Sequence, residues 1–497
     1  MIDFRADFLY NKQKTQERTP LLRRNSRMEK RRIPFPFTVA EIAGIAGGKL
    51  YFKEEREIGS FQIDSRKIGP DDVFVAFRGE RSDGHRYIGQ AFEKGASIVI
   101  ATALPEEIAG NLILVDDATA ALGRLAAAYR KTLGMKTVGV TGSVGKTTTK
   151  QLVNGIFSRR FDTLATEGNF NNELGMPLTL LNAEGDREAA VLEMGMCARG
   201  EIEYLSLIAR PEIGIITMIG TSHIEKLGSR EEIRNAKMEI TAGMPENGTL
   251  VLNADEPLLR NAEYRGNIVY AGFASDADYI VSNIRPTDNG SVFDLTPKDG
   301  KTLKDLVLPV AGEHNVKNAA LAAAAAFAAG LTETEVREGL AGFENTGYRQ
   351  KLETVSDILL IEDCYNAARE SMAAALAVLA SKRKEGCRTV AVLGEMRELG
   401  SFAPEMHREV GKAAAATGVD LLLPYGGTDA AFIAEGALAG GMQSCQVLPP
   451  CPADEPEKAA DILRKILRPG DTVLFKASRA LALENVIENL KKKFEND

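Results

Sequence analysis

The chain has 497 residues, 44% of them hydrophobic and 26% charged, with a formal net charge of -8. That composition excludes a largely disordered chain, and at roughly 100–200 residues per domain it predicts about three domains. The acidic balance excludes a nucleic-acid binder that relies on bulk positive charge. Five cysteines without a C-x-x-C pair predict reduced thiols in the cytoplasm, not a disulfide framework or structural zinc.

Residues 1–35 form a basic stretch with little apolar periodicity. It lacks the apolar core of a secretory signal, and Asp3, Asp7, Glu17 and Glu29 interrupt any transit-peptide pattern. Three readings stand for it: a disordered tail, a start codon upstream of a true initiator at Met28, or a basic arm that meets acidic lipid or a partner. A first block, 36–134, carries strand-like runs at Val73–Phe77 and Ser97–Ile100 and helical stretches at Tyr87–Lys94 and Thr119–Leu133. In a second block, 135–346, the runs Lys136–Thr141, Ala189–Glu193, Ile213–Thr217 and Thr249–Asn253 are apolar without alternation, as buried parallel strands are. Tyr279–Val310 alternates more and predicts an antiparallel addition. The alanine-rich Ala319–Ala329 is too short to span a bilayer and predicts a helix packed on a sheet. A third block, 347–497, repeats the α/β alternation, with strands predicted at Ile358–Ile361, Thr389–Leu393, Leu421–Leu423 and Thr472–Phe475. The fold class predicted is α/β in three domains: an N-terminal α/β unit, a central P-loop mononucleotide-binding unit and a C-terminal Rossmann-like unit.

Gly142-Ser-Val-Gly-Lys-Thr147 directly follows the first strand of the second block, and a helical segment, Thr148–Phe157, follows it. A lone G-K-T is common, but strand, glycine loop and helix in this order predict a phosphate cradle. Glycines turn backbone amides towards an anion and the helix start adds partial positive charge. Gly142, Ser143, Val144, Gly145 and Thr148 supply backbone, Lys146 reaches the β/γ-phosphates, and the Thr147 hydroxyl is a Mg²⁺ ligand. Beyond the loop, Thr166-Glu-Gly-Asn-Phe-Asn-Asn172 offers uncharged donors and acceptors, or is an Asn/Gly turn. Glu193 ends a strand at the edge where open α/β sheets bind ligands. His223 follows the next strand, and Lys237 falls in the helical stretch Glu231–Thr241. Each also has an ordinary reading as a strand-end carboxylate, a loop histidine and a solvated lysine.

Together with further motifs, these residues resemble the Mur ligases, ATP-dependent amide-forming enzymes of peptidoglycan synthesis, and within them the D-Ala-D-Ala-adding branch. The motifs are Asp64-Ser-Arg66, Gly79 with Asp83-Gly-His85, the phosphate loop, Thr166–Asn172, Gly312-Glu-His-Asn315 with Asn318, Asp363-Cys-Tyr-Asn366, Leu393-Gly-Glu-Met396 with Glu398-Leu-Gly400, and Lys476-Ala-Ser-Arg479. The resemblance runs from about Phe37 to the C-terminus. It implies that ATP phosphorylates the terminal carboxylate of a UDP-N-acetylmuramoyl-tripeptide, that the amine of D-Ala-D-Ala attacks the acyl phosphate, and that ADP and phosphate leave. It implies Lys146, Glu193, His223 and Lys237 as catalytic residues. Thr147, Glu193, His223 and a carbamylated Lys237 become the Mg²⁺ ligands, with Lys226 a weaker competitor for the lysine. Asn315 and Asn318 meet adenine, together with His314, and Arg349 meets phosphate. Substrate contacts fall to Ser65, Arg66, Gly79 and His85 on the uridine diphosphate side, to Thr166, Asn169, Asn171 and Asn172, and to Asp363, Tyr365, Asn366, Lys476, Ser478 and Arg479. It implies a cytoplasmic monomer, neither embedded in a membrane nor bound to nucleic acid. The competing readings are a related ligase adding another amino acid, a folate-type polyglutamate ligase, and an inactive nucleotide-binding scaffold. The chain departs from the family pattern at Ala368 and Arg369, where Asn-Pro is usual, and at Ala477, where Gly is usual.

Overall fold

The computed structural model describes residues 33–79, 82–345 and 347–495. The readings made of residues 1–35 therefore fall almost entirely outside the described residues. Three sheets organise the chain. The first holds β1 (Lys49–Tyr51), β2 (Phe61–Gln62), β3 (Val73–Val75), β4 (Ile98–Ala101) and β5 (Leu112–Leu114), in the order β1-β5-β4-β3-β2. All its pairs are parallel except β1 with β5.

The second sheet has nine strands: β6 (Lys136–Thr141), β7 (Thr163–Ala165), β8 (Ala189–Glu193), β9 (Ile213–Ile216), β10 (Thr249–Asn253), β11 (Asn267–Gly272), β12 (Tyr279–Thr287), β13 (Gly290–Pro297) and β14 (Leu303–Leu308). Its order is β14-β13-β12-β11-β10-β9-β6-β8-β7, parallel up to β12 and antiparallel across β12, β13 and β14. The antiparallel addition expected near Tyr279–Val310 is thus present. The third sheet holds β15 (Lys351–Val355), β16 (Ile358–Glu362), β17 (Thr389–Gly394), β18 (Leu421–Tyr425) and β19 (Thr472–Lys476), ordered β15-β16-β19-β17-β18.

The unbroken apolar runs of the central sheet have a direct cause. Val138, Val140, Val191, Ile213, Ile215 and Val251 pack into one core with Leu152, Val153 and Ile156 of the Lys146–Phe157 helix and with Ala319–Ala326 of the Glu313–Ala328 helix. Their sequence neighbours Ala190, Leu192, Ile216, Leu250 and Leu252 pack into the core on the opposite face. Both faces are covered, so the period-two alternation disappears from the sequence. The alanines let the Glu313–Ala328 helix sit close to the sheet. The predicted Tyr87–Lys94 helix is instead a 3₁₀ turn, Gly84–Tyr87, leading into Ile88–Glu93. Short strands such as β1, β2 and β15 carry partly exposed residues and had no sequence signature.

The first and second sheets are joined by the Ala118–Thr132 helix. Its Arg130 is buried and donates to the carbonyls of Ala209, Leu133 and Met135 and to the Thr137 hydroxyl, at 2.8–3.2 Å. Asn182 of the central unit exchanges hydrogen bonds of 2.8 and 3.0 Å with the backbone of Phe61 in β2. No helix among the described residues is long and apolar enough to cross a membrane.

Candidate active site

In the central sheet β6 lies between β9 and β8, so the chain leaves the end of β6 where connections diverge to either side. Such a divergence opens a crevice at the carboxyl ends of the strands. The phosphate loop begins there. Thr141 closes β6 and its hydroxyl donates to the Met194 carbonyl at 2.8 Å. Gly142 has φ 147°, and a Cβ there would lie 1.8 Å from the Thr217 hydroxyl oxygen. That hydroxyl donates to the Val144 carbonyl at 2.5 Å, while the Ser143 amide donates to the Met218 carbonyl at 3.0 Å. Gly145 has φ 90° and caps the Lys146–Phe157 helix without a capping side chain. A Cβ on Gly145 would meet the Asn318 amide oxygen at 2.7 Å. Glycine is therefore required at both positions for stereochemistry and for space.

Lys146 folds over its own loop, donating to the Gly142 carbonyl at 2.7 Å. Burial pushes its ammonium pKa down, with Glu193 opposing that and Arg349 adding to it. Arg349 donates to the Thr147 hydroxyl at 3.0 Å and stacks its guanidinium on the Tyr365 ring, 4.0 Å from the centroid. Thr147 belongs to the central unit and Arg349 to the segment that leads into β15, so this contact spans the crevice. Glu193, at the end of β8, is buried. One carboxylate oxygen accepts from Asn171 at 2.8 Å, its backbone amide donates to the Thr166 hydroxyl at 2.9 Å, and its second oxygen has no partner. His223 sits at φ 67° just before the Ile224–Leu227 helix, with Nδ1 against the Glu398 carboxylate from the third unit. Burial pushes the Glu398 carboxyl up, but His223, Lys226 and Lys146 outweigh it and leave the pKa below its ordinary value.

These residues face a cavity of about 530 Å³ between the central and third units. Of the sequence-predicted residues, Ser143–Thr148, Asn169, Asn171, Asn172, Glu193, His223, His314, Asn315, Asn318, Arg349, Asp363, Tyr365, Asn366, Lys476, Ser478 and Arg479 line it. The Asn315 amide nitrogen donates to the Ala311 carbonyl at 2.7 Å and to Gln350 at 2.9 Å, and Gln350 meets His314 Nε2 at 3.1 Å. His314 has its pKa lowered to about 4 by burial, with Lys476 and Lys317 adding to the shift and Asp363 opposing it. Lys476 is buried and holds the Asp363 carboxylate at 2.7 Å and the Asn366 carbonyl at 3.2 Å. Ser478 accepts from the Arg397 amide at 3.1 Å, and Arg479 pairs with Glu484.

Other predicted residues stand off the cavity wall. Gly142 and Thr166 lie behind it and support it through the contacts above. Lys237 is about 1% exposed in the Arg230–Met238 helix, and no hydrogen bond or ion pair to its ammonium is found among the described residues. Burial, with Lys146 nearby, pushes its pKa well below that of a free lysine. Lys237 does not line the cavity, whereas Lys146, whose charge reaches it, does. Ser65, Arg66, Gly79 and His85 lie in loops and the Gly84–Tyr87 turn of the first unit and do not join this cavity. Arg66 is paired with Asp64 through two 2.9 Å bonds, and His85 bridges Asp83 at 2.7 Å and the Thr102 amide at 3.1 Å. The Ser65 carbonyl accepts from Lys94 at 2.7 Å, and the Gly79 amide donates to Ser82 at 2.9 Å.

The structure also brings in Cys197, Gln350, Glu370 and Arg397, which no motif had singled out. Glu370 accepts from the Thr221 hydroxyl at 3.3 Å across the crevice, and Arg369 holds Glu370 and Glu409 at 3.2 and 3.0 Å. The Ala368 amide donates to Ser371 at 3.0 Å, so the helix start is capped without the usual Asn-Pro. Ala477 is accommodated by Gly394, where a Cβ would lie 2.5 Å from that of Ala477.

Comparison with known proteins gives a consistent result. Residues 140–326 match the Mur ligase middle domain, 349–479 the family described as Mur ligase, glutamate ligase domain, and 57–130 the Mur ligase family, catalytic domain. The chain is 38% identical over 460 residues to the UDP-N-acetylmuramoyl-tripeptide–D-alanyl-D-alanine ligase of Bacillus subtilis, covering 91% of this chain and 98% of that protein. A crystal structure of MurF from Acinetobacter baumannii superposes with a TM-score of 0.83 at 30% identity, over 93% of this chain and all of the other. MurF from Thermotoga maritima in complex with ADP superposes with a TM-score of 0.77 at 29% identity, over 88% of this chain and 98% of that one.

Proposed function

The chain belongs to the Mur ligase family, and from that premise we propose how its crevice joins D-Ala-D-Ala to UDP-N-acetylmuramoyl-tripeptide at the expense of ATP. The observation that carries the reading is the phosphate loop opening on the same cavity as the Asp363–Asn366 and Lys476–Arg479 motifs. A carboxylate is a poor electrophile, so it must first acquire a leaving group. A terminal carboxylate oxygen of the tripeptide attacks the γ-phosphorus, the bond to the β-phosphate oxygen breaks, and ADP departs. The D-Ala-D-Ala amine then attacks the acyl carbon, loses a proton, and the tetrahedral intermediate expels phosphate.

Each residue's part follows from charge. Bringing a carboxylate to a triphosphate sets anion against anion, and Lys146 and Arg349 supply positive charge between them. The backbone of Gly142–Thr148 holds the phosphates. Stacking on Tyr365 orients the Arg349 guanidinium. Asn315 and Asn318, with His314, take the adenine. Asn169, Asn171 and Asn172 border the tripeptide end, with Asn171 and, from behind, Thr166 holding Glu193 in place. Asp363, Tyr365, Asn366, Lys476, Ser478 and Arg479 border the amine side. Ser65, Arg66, Gly79 and His85 receive the uridine diphosphate on the loops of the first unit.

The residues present suit Mg²⁺. Glu193 has a buried oxygen without a partner, and the Thr147 hydroxyl and His223 share its cavity. These groups would hold the ion, which supplies charge neutralisation at the transferred phosphoryl group. Lys237 suits the carbamate role: a buried amine whose neighbour is Lys146 favours the neutral, nucleophilic form, and carbon dioxide converts it to an oxygen ligand. The test of the function is a matrix of UDP-linked acceptors against amines with ADP as the readout. ADP forms only when UDP-tripeptide and D-Ala-D-Ala are both present. ADP formation with a single amino acid in place of the dipeptide would favour a different member of the family.

A further inference from the structure

Cys197, His223 and Glu398 reach one corner of the cavity from three segments. These are the turn after β8, the residue before the Ile224–Leu227 helix, and the turn after β17 in the third sheet. One ligand atom from each lies within 4.8 Å of the others. In a closed tetrahedral zinc shell, sulfur and nitrogen ligands stand about 3.5 Å apart, a spacing that side-chain rotation reaches from here. The His223 Nδ1 atom has no well-directed hydrogen bond although it touches Glu398.

Thiol, imidazole and carboxylate together suit a borderline-soft transition cation. Mg²⁺ prefers six oxygens and gains little from sulfur. We propose that Cys197, His223 and Glu398 form a site for a thiophilic divalent cation of the Zn²⁺ class, and that filling it ties the third unit to the central one and inhibits the enzyme. On binding, the Cys197 S–H bond is exchanged for a sulfur–metal bond, the proton passes to solvent, and no oxidation state changes. Sulfur is a good ligand for thiophilic cations and a poor one for hard cations such as Mg²⁺. Lys226 faces the same corner and weakens cation binding, whereas Glu173 and Glu201 add negative charge. Inhibition follows because His223 is withdrawn from the reacting groups. That half rests on the ligase reading, whereas the binding half does not.

The test uses the full chain, freed of metal by a chelator and kept reduced by a phosphine, with Co²⁺ as the optical probe. One Co²⁺ per chain produces a thiolate-to-cobalt absorption in the near ultraviolet, and Zn²⁺ abolishes it. Cys197→Ser and Cys197→Ala lose the band, and Cys445→Ser, which removes an exposed thiol, keeps it. With excess Mg²⁺, Zn²⁺ inhibits ADP formation by the unaltered chain at least about tenfold more strongly than by Cys197→Ser, each protein being measured against its own zinc-free rate. A band that survives in Cys197→Ser, or equal zinc sensitivity of the two proteins, overturns the proposal. A chain that makes no ADP under any condition overturns the ligase reading instead, and the cobalt titration still decides the site.

Discussion

The phosphate loop and the first sheet carry sequence motifs of similar length, yet they relate to the cavity in opposite ways. In the loop, every residue from Ser143 to Thr148 lines the cavity, and the geometry is set within a few residues by Gly142, Gly145 and the helix start. Beside the first sheet, Ser65, Arg66, Gly79 and His85 are tied to neighbours in their own unit, by Asp64, Asp83, Ser82, Lys94 and Thr102. A site made of backbone is complete once its local turn forms. A site made of side chains on a separate unit is complete only when that unit meets its ligand and the other two.

The largest effect that separates the two regions is expected from Lys146→Ala. Removing the cation over the phosphates lowers kcat/KM for ADP formation about 10³-fold, roughly 4 kcal/mol. Gly142→Ala comes next: its φ of 147° and the 1.8 Å approach to Thr217 make the loop distort, lowering stability by about 2 kcal/mol in urea unfolding and weakening nucleotide binding in calorimetry. Arg66→Ala raises the KM for the UDP substrate about tenfold, some 1.4 kcal/mol, and leaves nucleotide affinity alone. A nucleotide defect in Arg66→Ala, or a pure UDP-substrate defect in Lys146→Ala, would erase the distinction between the regions.

His314 sharpens it through pH. Burial, reinforced by Lys476 and Lys317, lowers its folded pKa to about 4, against 6.5 for the unfolded chain. The unfolded state therefore binds the extra proton first, and stability is lost as pH falls from 6.5 towards 4. The melting temperature should fall across that window, with a smaller fall in His314→Gln. The smallest effect lies in the first unit. Gly89 is helical with nothing within 4 Å of an added Cβ, so Gly89→Ala should raise stability by about 0.5–1 kcal/mol and leave kinetics unchanged.

Legibility in the sequence follows the same divide. The parallel strands β6, β8, β9 and β10 were readable because both faces are buried and the runs are unbroken. Strands β1, β2 and β15 are short and half-exposed, and their pairing is decided by distant partners. The phosphate loop was readable because strand, glycines and helix are contiguous. Gln350 and Cys197 were not, since each is placed beside residues remote in sequence: Gln350 joins Asn315 and His314, and Cys197 lies within 4.8 Å of His223 and Glu398. Lys237 was readable as a position on a helix, but its burial is a property of packing alone. The Ala368–Arg369 departure likewise reads as a loss until Ser371, Glu370 and Glu409 are seen to take up the contacts.

The central claim is that the tripeptide carboxylate attacks the γ-phosphate before the amide forms. Its most direct test is a turnover with UDP-tripeptide carrying isotopically heavy oxygen in its terminal carboxylate, followed by mass analysis of the phosphate released. The account predicts one heavy oxygen in each phosphate formed alongside amide. Amide formed with unlabelled phosphate would contradict it.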